Sequence, residues 1–318
     1  MIFRSLAESG LDPEQVRPLL PDGQVGVWVG ADDFLAGLAR GDYRAQWAWV
    51  AQDEGRPCAI ALWWGPVGAG RPGALDSLHV DPDVGGDRVD VAARLLAAGQ
   101  AVFAEAGQGV PPDYHVLLPA DWRDRPDAVA ELAWRREAAR RVGLSAELER
   151  LRYEWTADRG VPEPSRRLRF RAEPDDEVFV DLFRRVLEGT LDAGSRAEAE
   201  RLGAEAQARA DVAFYRDDMS GDRSWWRIAE TPDGRTVGFA LPSSSPTAHV
   251  VGYLGVLPGH RGHGYVDDLL AEITRFLAQE EGARLVRADT DLPNRPMAAA
   301  FERLGYRNFA RRLVLSAP

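Results

Sequence analysis

The chain has 318 residues, 45% of them apolar, which is material for two domains of ordinary size and excludes a disordered or collagen-like polymer. Its 39 cations, every one an arginine, face 50 acids for a net charge of -11, a balance that argues against nucleic acid as a partner. Cys58 is the single cysteine, so no intrachain disulfide or cysteine-based metal site can form, and the apolar run 58–62 marks it as a buried thiol. The opening MIFRSLAESG lacks the apolar stretch of a secretion signal and no later run is long enough to span a bilayer; a cytoplasmic protein with no membrane partner is expected.

In chain order, the first half reads as strands over 46–51, 58–64 and 76–80 and a long helix over 89–106. Trp47 and Trp49 fall on one strand face, and Trp63 and Trp64 at a strand end; core positions are expected for the first pair. A polar stretch with two prolines, 157–165, then reads as a linker. The division expected is therefore 1–157, a linker 158–167, and 168–318.

The second half repeats the layout, with strands over 225–230, 236–241 and 249–256, and a Ser-Pro-rich loop between the last two. A helix over 264–281 follows, with Val266, Leu269, Leu270, Ile273 and Leu277 on one stripe, then a strand over 284–288 and a helix over 297–304 stopped by Gly305. The pentapeptide at 78–82, LHVDP, matches LGVLP at 254–258 in the same place, so a duplication is expected. The fold class that follows is α/β (α+β): two tandem domains, each a mixed, mostly antiparallel twisted sheet flanked by helices.

The chemistry concentrates where the strand ending at Val256 runs through Pro258 into Arg261-Gly262-His263-Gly264-Tyr265-Val266 and the helix behind it. Glycines let backbone N–H groups converge, and the helix N-terminus adds partial positive charge, so the segment reads as an anion cradle or, equally, as a glycine-rich turn with nothing bound. His260 and His263 flank Arg261, but two histidines without a third ligand do not make a metal site, and none is expected.

This segment resembles motif A of the GNAT superfamily of acyl-coenzyme A dependent N-acyltransferases, Gln/Arg-x-x-Gly-x-Gly/Ala after a Val-x-Pro strand end, with Val266 in place of the last small residue. Asn294-Arg295-Pro296-Met297 and Phe301-Glu302-Arg303-Leu304-Gly305-Tyr306 look like the family's later Asn-containing segment and its closing turn. The resemblance spans 168–318 by motif and the first half by layout. It implies a splayed sheet with acetyl-CoA, or another short acyl-CoA, between the strand ending at Val256 and the strand ending near Asp289. The pantetheine arm would pair with Leu254, Gly255 and Val256, and the pyrophosphate would rest on Arg261, Gly262, His263, Gly264, Tyr265 and Val266. Asn294 would touch the arm or the acceptor side, and Phe301 is counted among the cofactor-binding positions.

The reaction implied is direct attack by a primary amine of a small molecule or peptide on the thioester, giving an N-acetyltransferase of a monomer or homodimer. His249, Asp289 and Asp291 are the base candidates, the two aspartates also as an attractor for a cationic acceptor, and Tyr253 is a nearby hydroxyl. Phe301 occupies the position where many family members place a proton-donating tyrosine. That departure motivates the alternative of a non-catalytic acyl-CoA or metabolite-binding module, and the tandem layout is also similar to that of mycothiol synthases. In the first half the matching loop carries Asp83, Asp87 and Asp90 where a pyrophosphate would lie, so that half is expected to bind no cofactor and to act as a scaffold.

Overall fold

Residues 1–23, 25–103, 110–245 and 248–318 are described by the computed structural model. The last residues of the expected helix over 89–106, and Pro246 and Thr247 of the Ser-Pro loop, lie outside them. The described chain forms two compact units, Met1–Glu149 with Ala310–Pro318, and Arg150–Phe309. These borders differ from those expected at 157 and 168. The segment expected as a linker, 158–167, falls within the second unit; its residues are exposed or half-buried, and the Ser165 hydroxyl donates to Asp268 at 2.7 Å.

The first unit is built from β1 (Ile2–Ser5), α1 (Leu6–Ser9), α2 (Ala31–Arg40), β2 (Tyr43–Asp53), β3 (Arg56–Trp64), β4 (Ala74–Val80), α3 (Arg88–Phe103), β5 (Asp113–Pro119) and α4 (Pro126–Arg141). After it come β6 (Ala146–Thr156), β7 (Arg169–Ala172), α5 (Asp176–Val186), α6 (Ala193–Leu202), α7 (Ala204–Ala213), β8 (Arg227–Glu230), β9 (Thr236–Ser245), β10 (Ala248–Val256), α8 (Tyr265–Gln279), β11 (Leu285–Asp291), α9 (Arg295–Arg303) and β12 (Arg307–Ser316). The first sheet runs β1-β2-β3-β4-β5 and is completed by the end of β12, whose Ala310 to Leu315 pair antiparallel with β5. The second runs β6-β11-β10-β9-β8-β7, with the 150–156 part of β6 antiparallel to β11. Each unit thus takes its last strand from the other half of the sequence. Both choices satisfy the same main-chain donors and acceptors, so strand patterning alone could not reveal the exchange.

Each sheet is mostly antiparallel, with one parallel pair, and carries helices on its faces, as the expected fold class requires. In the first unit Trp47, Trp49, Trp63 and Tyr114 pack with Leu95 and Leu96 of α3 in one core. Cys58 is buried there, with its Sγ–H donating to the Ala51 carbonyl at 3.4 Å. In the second unit α8 buries Leu269, Leu270, Ile273 and Leu277 against one sheet face, the stripe its 3.6-residue periodicity dictates. The other face is covered by Phe179, Phe183 and Val186 of α5 and Val212 of α7. Trp225 lies in a short turn ahead of β8 rather than in the strand. Among the described residues no helix is long and apolar enough to cross a membrane.

Candidate active site

The site begins where two parallel strands part. Among the described residues β10 and β11 pair only at His249 with Val286 and Val250 with Arg287, and beyond those no further pairing joins the two strands. From Val250 to Val256 about 20 Å of β10 edge is left open at a strand rise of roughly 3.3 Å per residue, enough for an extended chain to lie alongside. All residues of β10 are half-buried except Gly255, which is buried against Phe239 and Val186. A bulge between Val251 and Tyr253 turns the strand just after the parting point.

Beyond Val256 the chain makes a short turn over Pro258–His260 and enters α8 at Tyr265. Gly262 and Gly264 stand at φ 81° and 72°, the left-handed region that residues with a Cβ avoid. His260 and Arg261 N–H are engaged by the Leu257 and Pro258 carbonyls at 2.9 and 3.3 Å, and the next N–H with a main-chain acceptor is that of Asp267, on the Gly264 carbonyl at 3.1 Å. Among the described residues the five N–H groups from Gly262 to Val266 donate to no protein acceptor. A Cβ on Gly262 would meet nothing within 4 Å, so the space above the amides is open. Val266 packs on the core of this unit instead of projecting into the cradle, and α8 starts one residue after Gly264.

Two acids in the first turn of α8 favour the helix but would oppose an anion. Each is tied to an arginine elsewhere. Asp267 pairs with Arg303 at 2.7 Å, while Asp268 takes Arg167, whose guanidinium also donates to the His263 and Gly264 carbonyls. Arg261 does something other than reach for a ligand. Its Nε donates to the Val256 carbonyl at 3.1 Å, Nη1 to Glu188 at 2.5 Å and Nη2 to Val186 at 2.8 Å. It fixes the end of β10 to the C-terminal end of α5, and what this position offers an anion is main-chain. The rings of His260 and His263 lie 6.3 and 6.0 Å from Tyr265.

The remaining expected residues are placed as follows. Asn294 caps α9, accepting from Met297 N–H at 3.4 Å. Phe301 is 1% exposed, stacked on Tyr153 at 4.8 Å and beside Tyr306 at 5.2 Å, so it belongs to the core and does not line the cleft. His249 sits at the closed apex with its ring 6.4 Å from Trp225. Leu254 and Val256 pack toward α8's core. Asp289 and Asp291, expected as base or attractor, are engaged with arginines of β6. Asp289 lies 3.4 Å from Arg152 Nε; Asp291, 1% exposed, lies 3.1 Å from Arg150 Nε and accepts the Ala193 N–H at the start of α6. These pairs hold strand and helix together; Asp291 is closed off from solvent, while Asp289 remains partly exposed with its charge offset by Arg152.

Tyr253 enters an aromatic group on the opposite sheet face, 4.7 Å from Phe183, 5.6 Å from Phe239 and 6.1 Å from Tyr215. Burial, reinforced by the charge of Asp192, holds its hydroxyl protonated well above the ordinary tyrosine range. The charge of Asp211 on α7, a residue that sequence reasoning did not single out, also acts on this hydroxyl. Asp211 Oδ1 accepts from the buried amide of Gln207 at 2.9 Å, and burial, with Asp192 and Glu198 adding to it, pushes the carboxyl up to about 7. The i, i+4 spacing of Gln207 and Asp211 was visible in the sequence, but nothing in it said that this face of α7 would be covered.

The first unit has the same opening and fills it with its own chain. Pairing of β4 with β5 stops after Leu75 and Tyr114, yet all seven residues of β4 are buried. Between the parted strands lies Gly26, whose N–H donates to Leu117 O at 3.1 Å and whose carbonyl accepts from Leu78 N at 2.9 Å. The fully buried Arg135 of α4 closes the gap with donors to Leu78 O at 3.0 and 3.2 Å. In the loop before α3, N–H groups are taken by the loop's own aspartates: Asp83 N–H by Asp81 Oδ1 at 2.9 Å and Val89 N–H by Asp87 Oδ1 at 3.0 Å.

Residues 195–306 match the acetyltransferase (GNAT) family model. Among solved structures the whole chain is similar to a GCN5-related N-acetyltransferase from Sphaerobacter thermophilus, at 18% identity and a TM-score of 0.58, covering 98% of this chain and 94% of that one. It is also similar to a tandem GNAT protein from the clavulanic acid biosynthesis pathway, at 20% identity and a TM-score of 0.53, covering 100% and 98%. At these identities the likeness is one of fold. No curated protein sequence matches the chain.

Proposed function

From the premise that this chain carries a GNAT-family acetyltransferase domain at residues 195–306, we propose that its second unit moves an acyl group from acetyl-CoA, or another short acyl-CoA, to a primary amine of a small molecule or peptide. The observation that carries the reading is the alignment of an open β10 edge with five unengaged amides at the head of α8. Those amides, from Gly262 to Val266, would hold the pyrophosphate, each contact reinforced by the helix terminus. The edge from Val251 to Val256 would pair with the amide-bearing arm as if it were a neighbouring strand. A main-chain N–H of that edge would stabilise the oxyanion, a kind of donor whose loss costs about 2.7–4 kcal/mol of barrier. Most of the remaining acceleration would come from holding amine and thioester in contact.

One coenzyme per chain is part of the proposal. The first unit already spans its wedge with Gly26 and Arg135, and the amides of its loop are partly satisfied by Asp81 and Asp87. That unit would serve as scaffold. A second reading, binding of acyl-CoA without transfer, draws on Phe301, which brings no hydroxyl to the position of the family's tyrosine. Calorimetry with acetyl-CoA, followed by thiol release against a panel of primary amines, separates the two. Binding with release supports transfer, binding without release for any amine supports the module, and no binding contradicts both.

A further inference from the structure

Resting on the transferase reading, we propose that Asp211 is the general base, taking a proton from a cationic primary ammonium that enters on the α7 side of β10. The argument starts from what the other carboxylates are doing. Asp289 and Asp291 are held by Arg152 and Arg150, and Asp267 and Asp268 by Arg303 and Arg167. Asp211 has an amide instead of a cation: Gln207, itself buried, donates to Oδ1 and leaves Oδ2 for another proton or donor. A carboxylate oriented by a third group and with no paired cation among the described residues is arranged as acid–base catalysis requires.

Its position relative to the open strand completes the geometry. Immediately after Asp211, α7 passes into a π-turn over Phe214–Asp218, a local irregularity of the kind that collects at functional sites. The turn sets the Tyr215 ring over the β10 bulge, 3.4 Å from where a Cβ on Gly252 would stand, and 6.1 Å from the ring of Tyr253. The charge of Asp211 is felt at both tyrosine hydroxyls. Asp211, one helical turn before Tyr215, therefore lies on the side of β10 from which that ring reaches the first unpaired residues, where a thioester drawn along the edge would present its carbonyl. Facing it are Asp192 and Glu198 from the α6 side, the phenols of Tyr215 and Tyr253, and Arg150 of β6, which acts on Tyr215. The net negative surroundings favour a cation, and burial, with Asp192 and Glu198 adding to it, pushes the carboxyl up to about 7, where a base accepts and releases a proton readily.

The step balances. One proton of R–NH3+ passes to Asp211 Oδ2, and the freed nitrogen lone pair forms the C–N bond to the thioester carbon. The C–S bond breaks with its electron pair on sulfur, a second N–H proton passes through solvent to the thiolate, and Asp211 returns its proton to solvent. The products are amide, free thiol and one proton.

The test uses the full chain with acetyl-CoA and two sets of nucleophiles: primary alkylamines with amino sugars, which are cationic at pH 7, and hydroxylamine, which is largely neutral there and does not need the base. Asp211→Asn should lower kcat/KM for the amine accepted by the wild type by about 10²–10⁴-fold, and remove the acidic limb of its pH profile near 7. It should leave hydroxylamine acylation and the calorimetric Kd for acetyl-CoA unchanged. Asp211→Glu, which keeps the carboxylate, should recover part of the rate and the limb. The proposal is overturned if Asp211→Asn keeps both rate and limb, or if the wild type acylates hydroxylamine and none of the cationic amines. Loss of hydroxylamine acylation in parallel with the amine rate would likewise reject a base role. A wild type that binds acetyl-CoA but acylates neither set contradicts the transferase reading itself, and Asp211 with it.

Discussion

Replacing Arg261 distinguishes a charge that grips an anion from a strut that holds the site in shape. The guanidinium reaches three carbonyls, of Val256, Val186 and Glu188, and it does so from an exposed position. At about 0.5–1.5 kcal/mol net for each such bond, Arg261→Met should cost the second unit roughly 2–4 kcal/mol. Arg261→Lys keeps the charge but replaces a planar fork by a single ammonium that cannot reach all three oxygens, so most of that loss should persist. Urea unfolding followed by tryptophan fluorescence measures the first quantity, and calorimetry with acetyl-CoA the second. The five amides survive in both variants, so affinity should fall by about tenfold or less, the equivalent of 1.4 kcal/mol. If Arg261→Lys matches the wild type in affinity, Arg261→Met binds more than a hundredfold more weakly, and neither loses stability, the strut reasoning is wrong.

Three further outcomes follow from other positions. Gly264→Val forces a β-branched residue to φ 72°, a strain of about 1–2 kcal/mol, and lays its side chain over the cradle; acetyl-CoA affinity should drop at least tenfold by calorimetry, with a small change in Tm. Gly26→Val would put a Cβ 2.2 Å from Arg135 Nε in the first unit's wedge; overpacking and φ strain together should cost that unit about 2–5 kcal/mol in urea unfolding, while the acetyl-CoA Kd stays as in the wild type. Asp76, buried and accepting from Tyr43, has its carboxyl pushed up to about 7 by burial, above the 3.8 of the unfolded chain. Its protonated form is the one the fold prefers, so this contribution is present below about pH 4 and is lost as pH rises through 7. Asp76→Asn should flatten that fall and raise Tm at pH 8; a Tm lowered equally at pH 4 and pH 8 would contradict it.

The second unit was largely legible in the sequence because its signals are local. The apolar stripe of α8, the glycines ahead of it and the closing Gly305-Tyr306 turn each depend on neighbours within a few residues. What escaped reading depends on distant partners. Asp289 and Asp291 read as available acids because Arg150 and Arg152, which occupy them, lie some 140 residues earlier on a strand assigned to the other half. Phe301 carried the right spacing for a cleft residue, but Tyr153 of that same strand covers it. Arg261 looked like an anion ligand because the carbonyls that hold it include two at the end of α5, more than seventy residues away. The plug at Gly26 was invisible for the same reason: a lone glycine in a loop gives no sign that it will bridge two parted strands.

Amide hydrogen exchange with and without saturating acetyl-CoA, run beside a calorimetric titration, examines the cradle itself. One equivalent should bind per chain and slow exchange of the amides from Gly262 to Val266, leaving the loop from Asp81 to Asp90 untouched. A second equivalent, or protection that falls on the first unit's loop while the head of α8 exchanges as before, would contradict the assignment.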